Sequence, residues 1–213
     1  MSILVDSTVP LANIAINCEE REVVDIFEGF VLTAEEALFE GQAGDVVSVE
    51  GQVPRIEQGE GSLTACVAPV PDRATGGTVF SNRDSAGDVC LEVSVVSASQ
   101  EILVALGGQA PVGVGAGAAL NDGQAHVIAV TVGSVTTRVY VDGAEVGSVA
   151  TPAGGLSTCV EAGATAFVGG VDGSSGLGVF QGSIDNVVVY GVEMSAVELS
   201  ETQCSDVLDV GRT

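Results

Sequence analysis

The sequence predicts an all-β domain in which two antiparallel sheets pack face to face, and three observations lead to that prediction. Short apolar runs follow one another between turn signals along most of the chain, with little helical periodicity. The 213 residues include 29 glycines, many of them between those runs, where the chain has to reverse. The chain is 46% hydrophobic but only 4% aromatic and contains no Trp. Its core must therefore consist of Val, Ala, Leu and Ile, which suits strands.

The first 44 residues differ in pattern from the rest. Apolar runs at 11–17 and 23–32 predict two strands. Thr33-Ala34-Glu35-Glu36 has the form of a capping box, which predicts a short helix over about 34–39. No Pro-, Gly- or Ser-rich linker follows. We therefore expect residues 1–44 to supply opening strands and an extension that packs on the sandwich or forms an assembly interface, and residues 45–213 to form the domain itself.

Beyond residue 45 the chain alternates between strands and loops. Residues 81–84 read as a loop, and the Gly- and Ala-rich residues 107–119 as a loop or an edge segment. Apolar runs predict strands at 46–49, 63–70, 78–80, 88–96, 102–106, 164–168, 178–181 and 184–190. A succession of short strands separated by turns is typical of a two-sheet sandwich.

The clearest strands lie at the centre of the chain. Residues 125–132 are rich in Val, Ile and Thr, and Gly133-Ser134 can reverse the chain. The next strand alternates with period two, so one set of its residues is expected to be buried. That set is Val135, Thr137, Val139 and Val141. Asp142-Gly143 is then a strong hairpin-turn dipeptide, because Gly adopts φ > 0 without steric cost. A third strand starts at Val146.

This hairpin resembles the centre of the laminin-G-like jelly rolls of the concanavalin A type. The shared pattern is Asn-Asp-Gly-x-x-His, followed by Val-Tyr-Val-Asp-Gly. Its positions here are Asn121, Asp122, Gly123, His126, Tyr140, Asp142 and Gly143. The resemblance implies a jelly-roll topology with one or two short helices, and a fold that serves mostly for binding and scaffolding.

Three further blocks extend the resemblance over roughly residues 45–203. Residues 167–170 and 180–190, which include Gly182 and Asp185, are similar to the closing strands of the family. Residues 194–199 look like its short C-terminal helix. Residues 61–69 are similar to its first long core strand but lack the usual Trp.

The charge of the chain limits its partners. There are 29 acidic residues against 6 basic ones, all of them Arg, and the formal net charge is −23. Such a surface repels nucleic acid and anionic membranes, because both are bound through Lys and Arg. An acidic extracellular protein would show this balance. So would a protein adapted to very high salt, where ions screen the repulsion between carboxylates. The absence of Lys favours the second interpretation, a haloarchaeal protein or one from a halophilic virus.

Neither a targeting signal nor a metal-binding cysteine pattern is visible. The N-terminus has no basic n-region, and no stretch approaches the length of a transmembrane helix.

The cysteines are odd in number, without a close pair of the zinc-site type: Cys18, Cys66, Cys90, Cys159 and Cys204. One or two disulfides would form in an oxidising environment. Single cysteines within strands are more often small buried hydrophobes, so we expect mostly free, buried cysteines.

The residues do not form the patterns that catalysis requires. Glycosidases of this broad fold carry two carboxylates on one strand face, which needs even spacing. In the nearest stretch, Glu22, Asp25 and Glu28 are separated by odd steps and would alternate between faces. His126 is the single histidine and is expected to be structural. The Gly-rich residues 169–178 lie between strands rather than before a helix, which disfavours nucleotide binding. We predict a protein without enzymatic activity that requires no cofactor.

One cation site is implied by the resemblance. In many laminin-G-like domains the Asp that corresponds to Asp122 binds Ca²⁺ at the rim of the sandwich. A hard cation needs several oxygen ligands, and Asp172 in the later loop could supply one. The alternative is that Asp122 only forms the turn that Asn121-Asp122-Gly123 encodes. For Asp185 we expect hydrogen bonding to backbone N–H groups.

These observations lead to two functional hypotheses. The first is a structural and adhesive virion protein of a halophilic virus, such as a capsid decoration, turret or fibre subunit. The second is an extracellular carbohydrate- or protein-binding module of a cell-surface or secreted assembly. A glycan-active enzyme is a weaker third hypothesis.

The same observations predict the partners of the chain. They are further copies of the chain, other virion shell or tail proteins, and a glycan or glycoprotein on a host surface. Nucleic acid and membrane insertion are not expected. Residues 1–44 are expected to mediate assembly, with the loops at 107–119 and 169–178 facing outward.

Overall fold

The described part of the chain is almost entirely strand. The computed structural model describes residues 2–4, 29–32, 37–40, 46–50, 60–70, 77–96, 99–115, 120, 122–153, 165–171 and 178–204. The strands are β1 (Ser2–Leu4), β2 (Gly29–Leu32), β3 (Ala37–Glu40), β4 (Val47–Glu50), β5 (Gly61–Pro69), β6 (Gly77–Arg83), β7 (Val89–Val96), β8 (Glu101–Leu106), β9 (Val112–Gly115), β10 (His126–Val132), β11 (Thr136–Val141), β12 (Ala144–Ala150), β13 (Thr165–Val168) and β14 (Gln181–Tyr190). The helix is α1 (Ala196–Ser200).

The strands form two sheets. The first sheet has the order β1-β4-β13-β6-β7-β8-β9, and the second has the order β12-β11-β10-β5-β14-β2, with β3 also paired to β14. Among the described strands, all pairings are antiparallel except that of β1 with β4. The two sheets pack against each other as a jelly-roll sandwich of the concanavalin A type, which confirms the predicted fold class.

The core between the sheets is mostly aliphatic, as the composition predicts, with Phe80 and Phe180 added to it. The largest side chains that are almost fully buried are Phe80, Phe180, Leu63, Ile102, Leu120, Ile128, Ile184 and Leu199. All of these except Leu199 belong to one cluster, to which both sheets contribute. Complete burial of such a side chain stabilises the fold by roughly 1.5–3 kcal/mol.

The central hairpin has the predicted form. The Gly133 N–H donates to the Thr136 carbonyl and closes the first reversal. Asp142 and Gly143 have φ of 50° and 77°, as a two-residue hairpin turn requires. The buried face of β11 carries the predicted alternate residues from Thr137 to Val141. The prediction for Val135 is wrong, because this residue lies in the reversal and is 72% exposed.

Residues 191–204 cross the outer face of the second sheet, and we call them the C-terminal strap. The Ser62 hydroxyl donates to the Val192 carbonyl and accepts from the Met194 N–H, each at 2.8 Å. Helix α1 begins at a capping box in which Ser195 and Glu198 satisfy each other's N–H groups. Leu199 packs against Tyr140 and its neighbour Ala129. The predicted C-terminal helix is therefore present.

A disulfide fastens the strap to the centre of the sheet, so the prediction of mostly free cysteines is wrong. Cys66 in β5 is bonded to Cys204, with their Cα atoms 5.5 Å apart. Cys90 is disulfide-bonded as well. The pairing of Cys66 with Cys204 spans 138 residues and arises only because the strap returns across β5. Nothing in the local sequence encodes that return.

Some predicted elements differ from the observed ones. The predicted helix at 34–39 is wrong over residues 37–39, which lie in β3 and pair with β14. Cross-strand pairing there outweighs the local capping signal. The loop predicted at 81–84 is wrong up to Arg83, because β6 continues through it beside β7. The two strands predicted after residue 178 are a single strand, β14, preceded by an isolated bridge at Val179.

Several predictions lie outside the described residues. They concern the strand at 11–17, the capping box at 33–36, the carboxylates of 22–28, and Asn121 and Asp172. Of the predicted strand at 23–32, the structure describes Gly29–Leu32 as β2. The predicted edge segment at 107–119 contains β9, an edge strand of the first sheet. No helix in the described ranges is long and apolar enough to cross a membrane.

Candidate functional site

Three of the predicted motif residues meet at one rim of the sandwich. Asp122 belongs to the turn before β10, and His126 is the first residue of that strand. Asp142 lies in the turn that joins β11 to β12. Because β10 pairs with β11 in the register Ile128↔Val141, the start of β10 lies beside that turn. The hairpin register therefore brings together residues that are distant in the chain, and we call Asp122, His126 and Asp142 the acidic rim.

His126 is held between two carboxylates. Its Nδ1 lies 2.8 Å from Asp142 Oδ2, and its Nε2 lies 3.1 Å from Asp122 Oδ1. A neutral imidazole carries only one N–H, whereas ionised carboxylates only accept hydrogen bonds. Both contacts are satisfied together when the ring is protonated. With a protonated ring, the arrangement is a carboxylate–imidazolium–carboxylate bridge.

The pKa shifts agree with this charge state. Burial lowers the pKa of His126, but the hydrogen bonds with Asp142 and Asp122 outweigh it and raise the pKa above the ordinary 6.5. The Gln124 N–H and then the His126 ring hold the pKa of the Asp122 carboxyl below its ordinary 3.8. Opposite charges at this distance each favour the ionised form of the other.

Backbone N–H groups fix the two carboxylates further. Asp122 Oδ1 accepts from the Gln124 N–H at 2.7 Å, and Asp142 Oδ1 accepts from the Val127 N–H at 2.9 Å. The His126 side chain is only 12% exposed, whereas the side chains of Asp122 and Asp142 are 38% and 53% exposed. The rim thus presents carboxylates to solvent in fixed orientations. Because these carboxylates are already ordered, they can accept hydrogen bonds from a hydroxylated ligand at a smaller cost in side-chain conformational entropy.

The other motif residues lie elsewhere or serve the fold. Tyr140 is buried beneath the strap, and Gly143 lies against Ser200, where a Cβ would be 2.8 Å from the Ser200 Cα. Gly182 has φ of 134°, and a Cβ there would collide with the Ala68 carbonyl. Asp185 is buried on β14 and accepts from the Asn186 N–H at 2.7 Å. Gly143 shares the β11–β12 turn with Asp142, whereas Tyr140, Gly182 and Asp185 lie within strands and serve the fold.

The rim does not by itself form a calcium site. The described residues contain no group of three His, Cys, Asp or Glu side chains that could hold a metal ion. The rim offers only the two carboxylates of Asp122 and Asp142, whereas Ca²⁺ requires six to eight oxygen ligands. Calcium binding by Asp122 therefore remains a prediction.

Sequence reasoning missed a buried ion pair within the first sheet. Arg83 Nη2 lies 2.8 Å from Glu92 Oε2, and the Ser81 hydroxyl donates to the same oxygen at 3.1 Å. Arg83 also donates to the Gly87 carbonyl. The side chains of Arg83 and Glu92 are only 11% and 6% exposed. The ion pair could have been predicted from an Arg and a Glu placed on adjacent strands. The sequence pattern predicts a loop at residues 81–84, however, so Arg83 was not placed on a strand.

Sequence comparison identifies the family. The profile described as the concanavalin A-like lectin/glucanases superfamily, of the laminin-G type, matches residues 41–200. This range covers most of the chain, and the chain belongs to that family. Among curated proteins, none matches this chain by sequence.

Solved structures with the same fold are distant in sequence. The CBM40 module of Ruminococcus gnavus IT-sialidase is 14% identical, with a TM-score of 0.55 over 81% of this chain and 95% of that one. Domain 4 of AbnA, an extracellular GH43 arabinanase of Geobacillus stearothermophilus, is 18% identical, with a TM-score of 0.55 over 78% of this chain and 74% of that one. A heptameric SAP-like pentraxin from Limulus polyphemus is 17% identical, with a TM-score of 0.53 over 65% and 68%.

Two of these structures were determined with sugars. AbnA domain 4 is in complex with arabinotriose, and the CBM40 module has been solved bound to α2,3-sialyllactose. Longer chains also match: this chain spans 28% of the length of Trypanosoma rangeli sialidase. At these identities the likeness shows the fold alone.

Proposed function

We propose that this domain is a non-catalytic carbohydrate-binding module whose ligand contacts the acidic rim. The observation that carries the proposal is the pair of solvent-facing carboxylates, Asp122 and Asp142, fixed on either side of His126 in a lectin-type sandwich. Carboxylates are strong acceptors for sugar hydroxyls. The C-terminal strap covers part of the outer face of the second sheet, around Ser62, Cys66 and Tyr140, whereas the side chains of Asp122 and Asp142 at the rim face solvent.

The charge of the chain favours a neutral sugar over an anionic one. A sialylated glycan carries a carboxylate, which proteins bind through Arg or Lys. The two arginines in the described ranges are engaged: Arg83 with Glu92, and Arg138 with Glu193 at 3.0 Å. With a net charge of −23, the chain also repels an anionic ligand at long range. The proposed ligand is therefore a neutral oligosaccharide.

The arrangement of acidic groups supports a binding role rather than hydrolysis. Retaining glycosidases place two carboxyl groups about 5–5.5 Å apart on either side of the scissile bond. Here the carboxyl groups of the rim flank the His126 ring and not a gap for substrate, and Glu92 forms an ion pair with Arg83. In the described ranges, neither the acidic rim nor the Arg83–Glu92 pair offers a carboxylic acid beside a second carboxylate that could act as nucleophile.

Isothermal titration calorimetry with two trisaccharides tests the proposal. Arabinotriose serves as the neutral ligand, and α2,3-sialyllactose serves as the anionic one. We expect heat of binding with arabinotriose only, and its loss in Asp122→Asn and Asp142→Asn. Asp84→Asn is the matched control, because Asp84 is also a partly exposed loop carboxylate that accepts from backbone N–H groups. Equal binding by all variants, or binding of sialyllactose alone, would disprove a neutral-sugar site at the rim.

The disulfides support a location in an oxidising environment. Cys66, Cys90 and Cys204 are all disulfide-bonded. Such bonds persist mainly outside cells, in oxidising compartments and on particle surfaces. We therefore place the module on a cell surface, in a secreted assembly or on a virion.

A more specific version of this proposal is that the carbohydrate-binding module is a virion adhesion protein of a halophilic virus. What favours it is the composition, with a net charge of −23 and no Lys. A capsid decoration, turret or fibre subunit would use the same sandwich to bind a host glycan. Mass spectrometry of purified particles and of the cell-envelope fraction tests this location. Finding the chain in particles supports the virion, whereas finding it only in the envelope fraction supports the cell-surface module.

A further inference from the structure

The C-terminal strap runs along β10 and ends beside the acidic rim. In the pairing of β5 with β10, Ser62 lies opposite Thr131, near the end of β10, whereas Cys66 lies opposite Val127, beside its start. The strap is bound first at Ser62, by hydrogen bonds, and then at Cys66, by the disulfide. Its last residues therefore lie on the rim side of the sheet, close to the turn that contains Asp142.

The strap contacts the β11–β12 turn directly. Gly143 follows Asp142 in that turn, and a Cβ at Gly143 would be 2.8 Å from the Ser200 Cα. The two backbones are thus too close to admit even a methyl group between them. Leu199 packs on Tyr140, two residues before Asp142 in the chain. The end of α1 therefore rests on the turn from the outer side of the sheet.

The disulfide is linked to the same carboxylate from the opposite direction. Cys66 is paired with Val127 across the two strands. The Val127 N–H donates to Asp142 Oδ1, and the Asp142 N–H donates to the Val127 carbonyl, each at 2.9 Å. His126, which precedes Val127, lies 2.8 Å from the other carboxylate oxygen. One cross-strand pair therefore separates the disulfide from the residue that orients Asp142.

The rim end of the strap depends on this disulfide. Helix α1 has five residues, too few to persist without tertiary contacts. Leu199 is the buried residue of the helix, whereas Val197 is 70% exposed. A single buried side chain opposes little of the conformational entropy that an opened strap would gain. The covalent bond at Cys204 is therefore what keeps Ser200 against the turn.

We propose that the Cys66–Cys204 disulfide is a redox-controlled device that positions Asp142. While the bond is intact, the strap holds the β11–β12 turn, and Asp142 keeps its orientation in the acidic rim. When the bond is reduced, the strap leaves the turn and Asp142 becomes mobile. The affinity of the rim for a neutral sugar then falls, a consequence that rests on the function proposed above.

The reducing partner is a dithiol. It supplies two electrons and two protons, so the S–S bond breaks, Cys66 and Cys204 become thiols, and the dithiol becomes a disulfide. Cys204 is partly exposed, whereas Cys66 is only 6% exposed, so the dithiol reaches the bond from the Cys204 side. Disulfides persist in oxidising environments and are reduced in the cytosol. The rim is therefore complete only where the environment is oxidising.

Amide hydrogen exchange measured by NMR tests the device in the double variant Cys66→Ala/Cys204→Ala. Exchange of the Asp142 N–H should become about tenfold faster or more, because disulfide and strap no longer hold the turn. The amides of β7, in the first sheet, should keep their wild-type rates. Cys90→Ala is the matched control, because Cys90 is also disulfide-bonded but lies on β7. With the Cys66–Cys204 bond verified by mass spectrometry, this variant should leave Asp142 exchange unchanged.

Titration with arabinotriose provides the second readout. Its affinity should fall in the double variant and stay at the wild-type value in Cys90→Ala. Unchanged exchange at Asp142, an equal acceleration at Asp142 and in β7, or an unfolded double variant overturns the device, because the sandwich has to remain folded when the bond opens. If arabinotriose does not bind the wild type, the proposed function is wrong, whereas the exchange rates, measured without sugar, still decide whether the strap positions Asp142.

Discussion

His126 connects the start of β10 to the turn after β11, and its charge determines how the rim responds to pH. Its raised pKa means that the folded state binds the proton more tightly than the unfolded chain does. The pKa of Asp122 is lowered, so the folded state binds the proton of this carboxyl group less tightly than the unfolded chain does. The bridge therefore stabilises the fold only while the ring is protonated and the carboxylates are ionised.

The pH dependence of stability follows from these two shifts. The contribution of His126 is fully present below pH 6.5 and is lost as the pH rises through its higher folded-state pKa. The contribution of Asp122 is present above pH 3.8 and is lost as the pH falls through its lower folded-state pKa. We expect the melting temperature to decline above pH 6.5 in the wild type and to decline less in His126→Gln. Parallel profiles for the two proteins would show that the bridge contributes nothing.

Calcium binding by Asp122 predicts a different response. Millimolar Ca²⁺ would raise the melting temperature by binding the native state only, and Asp122→Ala would abolish the increase. Because the imidazolium and the cation compete for the same carboxylate, the increase should grow as the pH rises above 6.5. An increase that survives Asp122→Ala, or no increase at any pH, leaves the Asp122 turn as a purely structural feature.

How much of the site was predictable depends on how its residues are connected. Asp122 and His126 are four residues apart, and the motif pattern identifies both. Asp142 was recognised only as a turn residue, since its contact with His126 requires the pairing register of β10 and β11. The ion pair of Arg83 and Glu92 depends in the same way on the register of β6 and β7. Contacts set by register cannot be obtained from local patterns.

Among the elements, the C-terminal strap shows how a short helix is stabilised. Helix α1 has five residues, far fewer than an isolated helix needs in water. Its capping box, the burial of Leu199 and the Cys66–Cys204 disulfide hold it on the second sheet. Tertiary contacts therefore stabilise this helix more than its own propensity does.

A matched pair of substitutions in α1 measures that dependence. Leu199 is 1% exposed and packs on Tyr140, whereas Val197, two residues earlier, is 70% exposed. Leu199→Ala should lower the free energy of unfolding by about 2–4 kcal/mol through lost burial and the resulting cavity. Val197→Ala should change it by less than about 0.5 kcal/mol. Chemical denaturation of both variants checks this, and equal effects would mean that the strap is not packed as described.

The predicted and observed elements agree best where the pattern is repetitive. The central hairpin was predictable because alternation and the Asp142-Gly143 turn encode it locally. Residues 37–40 were not, because their strand character comes from pairing with Gln181–Ile184, far along the chain. The disulfide between Cys66 and Cys204 was hidden for the same reason. Long-range pairing decides these elements, and it leaves little trace in a single sequence.

The molecule as a whole combines an aliphatic core with a strongly acidic chain. Repulsion among the carboxylates opposes the compact state. Because 29 acidic residues face only 6 arginines, ion pairs relieve little of it and dissolved ions must screen the rest. We expect the melting temperature to fall as ionic strength is reduced from molar to tens of millimolar. A melting temperature that is constant, or higher at low salt, would contradict adaptation to high salt.

The central claim, that a neutral sugar binds at the acidic rim, is tested most directly by following backbone amide NMR signals during titration with arabinotriose. The account predicts saturable shifts confined to the turns around Asp122, Gln124, His126 and Asp142. The amides of β6 and β7 near Arg83 and Glu92 should not move. Shifts centred on those two strands, or no saturable shifts at all, would contradict the account.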